Sequence, residues 1–175
     1  GKLILSSFSA PIKIDKATFS SWMRIMKNLQ DSVLWLRDAG LYAQDNLKSF
    51  ASSQGINPKR IIFSKRIKEK EKHLERLKLV DIGLDTFVYG GHTTTNDFLW
   101  AGVPVVSIRG KHFASRVAAS ILNSSGLKEL VVKNIQEYEE LTIELGRDKR
   151  KLQKIKEKII QNQKTQPFFS TKKFV

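Results

Sequence analysis

Residues 85–97 read Asp-Thr-Phe-Val-Tyr-Gly-Gly-His-Thr-Thr-Thr-Asn-Asp, the densest run of chemistry-bearing side chains in the sequence. A strand ends, two glycines turn the chain, and a run of hydroxyls opens a helix. Glycine permits close backbone approach. Thr93 or Thr94 can cap the helix, leaving free N–H groups that point outward. Such a helix start carries partial positive charge and favours a phosphate. The pattern is neither a Walker loop nor a GxGxxG fingerprint, and a plain capped glycine turn would give it too. Asp97, three residues after Thr94, suits a variant of the capping box.

A second group lies earlier. Lys70, His73 and Arg76 are three residues apart, so one helix face carries all three. That face could hold an anionic, aromatic ligand by charge and stacking, or it could be an ordinary basic surface. Lys13 follows the first strand, where a lysine can face a ligand. No Asp-x-Asp element is present, so metal-assisted binding of a nucleotide sugar is not expected. Asp81 and Asp85 bracket one strand and read first as structural caps.

These groups sit in a chain of 175 residues, 41% hydrophobic and 27% charged, as in ordinary globular proteins. With no cysteine there can be no disulfide, Cys-ligated zinc, iron–sulfur cluster or thiol nucleophile. Three histidines are too few for a multi-His metal centre. No apolar run approaches the roughly 20 residues of a membrane helix. The net charge is +14, and eleven of those charges come from residues 59–78 and 147–158. Both segments could be solvated helix faces, or either could meet an anionic partner. Lysines outnumber arginines 22 to 9, whereas base reading leans on arginine forks. Neither a nucleic-acid nor a membrane partner is expected.

The elements that must position these residues alternate. Short apolar runs at 3–5, 32–36, 60–63, 80–85 and 105–108 read as strands. Helical spacing or capping marks 15–29, 41–53, 69–79, 93–102, 113–124, 135–145 and 149–161. Leu41, Leu47 and Phe50 are the expected inner face of the second helix, and Leu74, Leu77 and Leu79 that of the third. Gly102 and Gly126 are expected stops. Strands separated by helices of this length give βαβ units and a parallel sheet, and continuous apolar strands mean burial on both faces. The expected fold is an α/β doubly wound parallel sheet, with ligands at the carboxyl ends of the strands. Residues 1–166 form the lobe, and 167–175 are expected to be an extended C-terminal arm.

At this point a family resemblance enters. Asp85-Thr86, Gly91-His92-Thr93-Thr94, Asp97, Leu99-Trp100-Ala101-Gly102-Val103-Pro104 and the run from Ala114 to Ser120 resemble the C-terminal catalytic lobe of the O-GlcNAc transferases. Phe8 with Lys13-Ile14-Asp15, Trp22-Met23-Arg24-Ile25, Ser32-Val33-Leu34-Trp35-Leu36, Arg60-Ile61-Ile62-Phe63-Ser64, and Gly126-Leu127 with Glu129-Leu130-Val131 and Glu137-Tyr138 extend the likeness over nearly the whole chain. The resemblance implies a GT-B fold of two Rossmann-like lobes, of which this chain is similar to the C-terminal, nucleotide-sugar-binding one. It implies UDP-GlcNAc as the donor and protein Ser/Thr hydroxyls as acceptors. The reaction would be inverting, need no metal or other cofactor, and take place in the cytoplasm or nucleus. The N-terminal catalytic lobe and tetratricopeptide repeats of the same polypeptide would be the lobe's partners, and the lobe alone is expected to transfer no sugar.

The same resemblance suggests roles. Lys13 matches the catalytic lysine that neutralises the diphosphate as UDP leaves. His92, Thr93 and Thr94 match the residues around diphosphate and sugar, and Asp97 and Lys70 those at the ribose hydroxyls. His73 matches the uracil-stacking histidine, and Arg76 an arginine near the base. Two departures stand out. Ala10 replaces an amide side chain three residues before the lysine, which removes one donor to the phosphate. The stretch before His73 is one residue longer, which leaves open the backbone contact to uracil near Ile67 and Lys68. A protein O-fucosyltransferase using a GDP-sugar is compatible with Asp85-Thr86-Phe87 and Tyr89, although His92 and residues 114–120 favour the GlcNAc enzymes. Ala10 also leaves open a non-catalytic nucleotide-sugar-binding module.

Overall fold

A computed structural model describes residues 1–170. Six parallel strands form one sheet: β1 (Leu3–Ser7), β2 (Ser32–Arg37), β3 (Ile61–Ser64), β4 (Ile82–Leu84), β5 (Val105–Ile108) and β6 (Val131–Val132), in the order β3-β2-β1-β4-β5-β6. The chain winds outward from β1 to β3, then returns to the other side of β1 and winds outward again. The doubly wound α/β fold expected from the alternation is therefore the fold observed. Its winding reverses between β1 and β4, and the crevice outside the carboxyl ends of those two strands is where such sheets bind ligands.

Among the described residues seven α-helices cover the sheet: α1 (Lys16–Asn28), α2 (Leu41–Ser53), α3 (Lys70–Leu77), α4 (Thr93–Trp100), α5 (Phe113–Ser124), α6 (Ile135–Arg147) and α7 (Lys149–Thr165). Local chemistry sets their ends. The Asp15 carboxylate accepts from Thr18 N at 2.8 Å and starts α1. Asn134 and Asp148 cap α6 and α7 in the same way. Gly102 and Gly126 close α4 and α5 with φ of 78° and 74°, a region that residues with a Cβ avoid.

The main core packs Leu5, Leu34, Leu36, Ile82, Leu84 and Val106 of the strands against Phe19, Trp22, Met23 and Met26 of α1 and Tyr138 and Leu145 of α6. A smaller cluster of Phe8, Leu77, Val80, Phe98, Val103 and Val105 seats α3 and α4. Burying a side chain of this size contributes roughly 1.5–3 kcal/mol.

Some expectations fail in detail. Leu41 and Leu79 are exposed, at 78% and 62%, rather than inward. Leu41 is the first residue of α2, and Leu79 lies beyond the end of α3. The two-residue β6 went unread because its pairing with β5 is long-range and its apolar run is too short to signal a strand. Pro167–Phe169 form a 3-10 turn instead of an extended arm. Phe169 is buried there, 5.2 Å from the Trp100 ring. Residues 171–175 of that expected arm lie outside the described residues. Among the described residues no helix is long and apolar enough to cross a membrane.

Candidate functional site

Three segments converge on the crevice: the turn after β1, the 85–92 loop after β4, and α3. The loop is organised by Asp85, which is 4% exposed. Its Oδ1 accepts from Thr86 N at 2.9 Å and Gly91 N at 2.6 Å, and its Oδ2 accepts from Ser107 Oγ at 2.6 Å. The Asp85 carbonyl accepts from the Tyr138 hydroxyl at 3.1 Å, which in turn accepts from Trp22 Nε1 at 3.2 Å. A buried polar chain thus ties the loop to α1, α6 and β5. Burial drives the Asp85 carboxyl up to about 6, against the pull of its three donors and of Lys13.

Of the two glycines, Gly91 is the one that space requires. A Cβ on Gly91 would stand 2.6 Å from Thr95 Oγ1 and 2.7 Å from Thr94 Oγ1. This tight approach lets the chain enter α4 directly under the loop. His92 is the N-cap residue, and no side chain caps the helix. The expected cap from Thr93 or Thr94 is therefore not made, because both residues already lie inside the first turn. The capping-box role expected of Asp97 is not made either, because its carboxylate turns to α3. The start of α4 keeps its partial positive charge free of a side-chain cap.

Lys13 ends a 3-10 turn of Pro11–Lys13. Its Nζ donates to Gly90 O at 3.2 Å and stands 3.7 Å from the centre of the Tyr89 ring. Burial holds its pKa below the usual lysine value, partly offset by Asp85. The His92 ring meets Tyr89 edge-on at 5.2 Å, and its Nε2 is buried with no hydrogen-bond partner among the described residues.

Across the crevice, α3 and α4 meet through charge. Asp97 pairs with Lys70 through Oδ1 and with His73 Nε2 through Oδ2 at 3.4 Å. Burial, then Arg76, then Lys70 push the His73 pKa below 6.5, while Asp97 pulls the other way. The Arg76 guanidinium lies 4.2 Å from the Phe8 ring centre and donates to Lys65 O at 2.9 Å. Lys70, His73, Arg76, Thr93, Thr94 and Asp97 all line one pocket of about 370 Å³. Lys13 and His92 stand beside it on the turn rather than in its wall. The pocket also takes in Phe8, Arg37 and Arg66, to which sequence reasoning gave no site role, together with Ile67 and Lys68. The signal for the first two was position: Phe8 follows β1 and Arg37 ends β2, both at carboxyl ends of strands. Asp85, read first as a strand cap, organises the whole loop. Among the described residues no cluster of three or more His, Asp or Glu could hold a metal ion.

A cationic, half-enclosed pocket beside an uncapped helix start suits a nucleoside diphosphate, and the comparisons bear on that chemistry. A peptide N-acetylglucosaminyltransferase using UDP-N-acetylglucosamine, from Caenorhabditis elegans, is 34% identical over 172 residues, covering 98% of this chain and 15% of that protein. A probable enzyme of the same name from Arabidopsis thaliana is 34% identical over 175 residues, covering 99% of this chain and 18% of that protein. The chain thus spans under a fifth of these curated relatives. A solved mutant O-GlcNAc transferase from Thermobaculum terrenum superposes with a TM-score of 0.91 at 25% identity, over 98% of this chain and 33% of that one. The architecture is the Rossmann-like lobe of GT-B glycosyltransferases. The glycosyl transferase family 41 pattern covers residues 2–175, and with relatives of this identity along nearly its whole length the chain belongs to that family.

Proposed function

We propose that this chain is the donor-binding lobe of a protein O-GlcNAc transferase, which moves N-acetylglucosamine from UDP-GlcNAc to Ser or Thr hydroxyls of proteins. The observation that carries the proposal is the convergence of Lys70, His73 and Asp97 on one pocket with the uncapped start of α4. The base would stack at His73, with Arg76 close by, and the ribose hydroxyls would meet Asp97 and Lys70. The diphosphate would lie at Thr93 and Thr94, within reach of Lys13 and His92. An acceptor hydroxyl attacks the anomeric carbon from the face opposite UDP. The C–O bond to UDP breaks with its electron pair leaving on the diphosphate, the attacking hydroxyl gives up its proton to water, and configuration inverts. Lys13 and the helix start then face the growing negative charge, and fixed donors aimed at developing charge are the usual main source of rate. These groups supply the positive potential that a metal would otherwise bring, so no metal is invoked.

The acceptor contacts would come from an N-terminal lobe, and tetratricopeptide repeats would present the protein substrates. Without acceptor positioning, on the order of 7–11 kcal/mol of barrier lowering is missing, so the lobe alone should show no transfer. A chain free of cysteine has no need of an oxidising compartment, in keeping with work in the cytoplasm or nucleus.

Calorimetry of the chain with UDP and with GDP, each with magnesium and with EDTA, tests the reading. UDP should bind more tightly than GDP and equally well in EDTA. Tighter GDP binding would move the assignment to a GDP-sugar transferase, and a strict magnesium requirement would overturn the metal-free site. Base–aromatic stacking is worth roughly 1–3 kcal/mol, so His73→Ala should weaken UDP binding about five- to a hundred-fold.

A further inference from the structure

The polar contacts around His73 assign its protons. Arg76 Nη2 lies 2.8 Å from His73 Nδ1. A guanidinium has five N–H donors, no acceptor, and stays protonated in proteins. The contact therefore requires a lone pair on Nδ1, and a neutral imidazole with a bare Nδ1 carries its proton on Nε2. Nε2 faces Asp97 Oδ2 at 3.4 Å, an acceptor on the other element packed against the ring. One tautomer satisfies both contacts. The opposite tautomer would set N–H against N–H at Arg76 and a lone pair against the carboxylate at Asp97. A doubly protonated ring would keep the second contact and clash at the first.

The charged groups facing the ring are Arg76 and Lys70 from α3 and Asp97 from α4. Phe8, after β1, closes a further side with its ring centre 5.9 Å away. Burial and the two cations favour the neutral ring, against Asp97. Arg76 is itself well fixed. It lies against Phe8 and, at 5.9 Å, Trp35, and is tied to the Lys65 carbonyl.

We propose that Arg76 is a positioning residue that acts through His73, fixing its ring as the neutral, Nε2-protonated tautomer aimed at Asp97. The ring then enters base binding in one orientation and without charge. Asp97 then meets a positive or polar N–H on each side, with Lys70 bonded to Oδ1 and His73 Nε2 facing Oδ2. The consequence for nucleotide rests on the donor-site reading above, but the tautomer does not.

The test is nitrogen-15 NMR of the imidazoles in the full chain, recorded without nucleotide. At neutral pH His73 should show a bare Nδ1 and a protonated Nε2, and should titrate below the usual histidine value. Arg76→Ala should move its titration upward and mix the two tautomers. It should also weaken UDP binding about two- to ten-fold, the scale of one neutral hydrogen bond. A wild-type spectrum with the proton on Nδ1, or with both nitrogens protonated, overturns the proposal even if the variant does not fold. The predicted tautomer with no UDP binding would refute the donor-site reading alone.

Discussion

Asp85→Asn should make this protein more stable at neutral pH. The carboxyl is fully enclosed and titrates in the fold at about 6, against an ordinary 3.8. Because the folded value is raised, the protonated carboxyl stabilises the fold. That contribution is fully present below about pH 4 and is lost as the pH climbs through 6. Keeping the group ionised inside the fold therefore costs about 3 kcal/mol at neutral pH. Asparagine can retain the local bonding. Its Oδ1 can accept from Thr86 N and Gly91 N, and its Nδ2 can donate to Ser107 Oγ, which turns to act as acceptor. Urea denaturation followed by tryptophan fluorescence measures the gap between variant and wild type. The gap should approach about 3 kcal/mol at pH 7.5, and about 1.4 kcal/mol of it should disappear at pH 5, where wild-type Asp85 is largely protonated. Other acids titrate over this range, but they cancel in the difference. A gap that is independent of pH, or a variant less stable than wild type at pH 7.5, would refute the reasoning.

Three further outcomes are expected. Gly91→Ala places a Cβ against two threonine hydroxyls at 2.6 and 2.7 Å. It should cost about 1–3 kcal/mol in stability and weaken UDP binding by shifting the α4 start, so an unchanged thermal midpoint and affinity would show that the turn has slack. Tyr138→Phe leaves Trp22 Nε1 buried without its acceptor and should lower stability by about 1–3 kcal/mol in urea denaturation. Ala10→Gln should tighten UDP binding by at most about 1.5–3 kcal/mol if a phosphate donor is missing there, and a calorimetric titration showing no gain would mean that another group already serves.

The seven helices and the first five strands were legible because each has a local cause. Asp15 before Phe19 and Trp22, and Gly102 before Pro104, mark helix ends without any tertiary information. Six of the eight candidate residues fall in one pocket, and for Lys70, His73 and Arg76 helical spacing had already set them on one face. What could not be read was partnership across the fold. Asp97 looks like half of a capping box until α3 is placed beside it, and then its carboxylate meets Lys70 and His73. Asp85 has the pattern of a strand cap. Only packing shows Ser107, 22 residues later, donating to it and Tyr138, 53 residues later, bonding its carbonyl.

The two basic segments, indistinguishable as compositions, separate in the structure. Residues 59–78 contribute Arg66, Lys68, Lys70 and Arg76 to the pocket wall, where Arg37 joins them and Asp97 is the one acid. Residues 147–158 instead belong mostly to α7, where Lys151, Lys156 and Lys158 pair with Glu144, Asp81 and Glu129. Exposed pairs of this kind contribute little to stability, and the Lys156 pair also links α7 to Asp81, whose other oxygen accepts from Ile4 N at the start of β1. The first segment therefore concentrates positive potential at a concave mouth, where low-dielectric walls focus it on an anion. The second spreads its charge along α7, among its own counter-charges. The same lysine-rich composition thus builds a cationic pocket wall in one place and a salt-bridged helix in the other, the first beyond the carboxyl end of β3 and the second after α6.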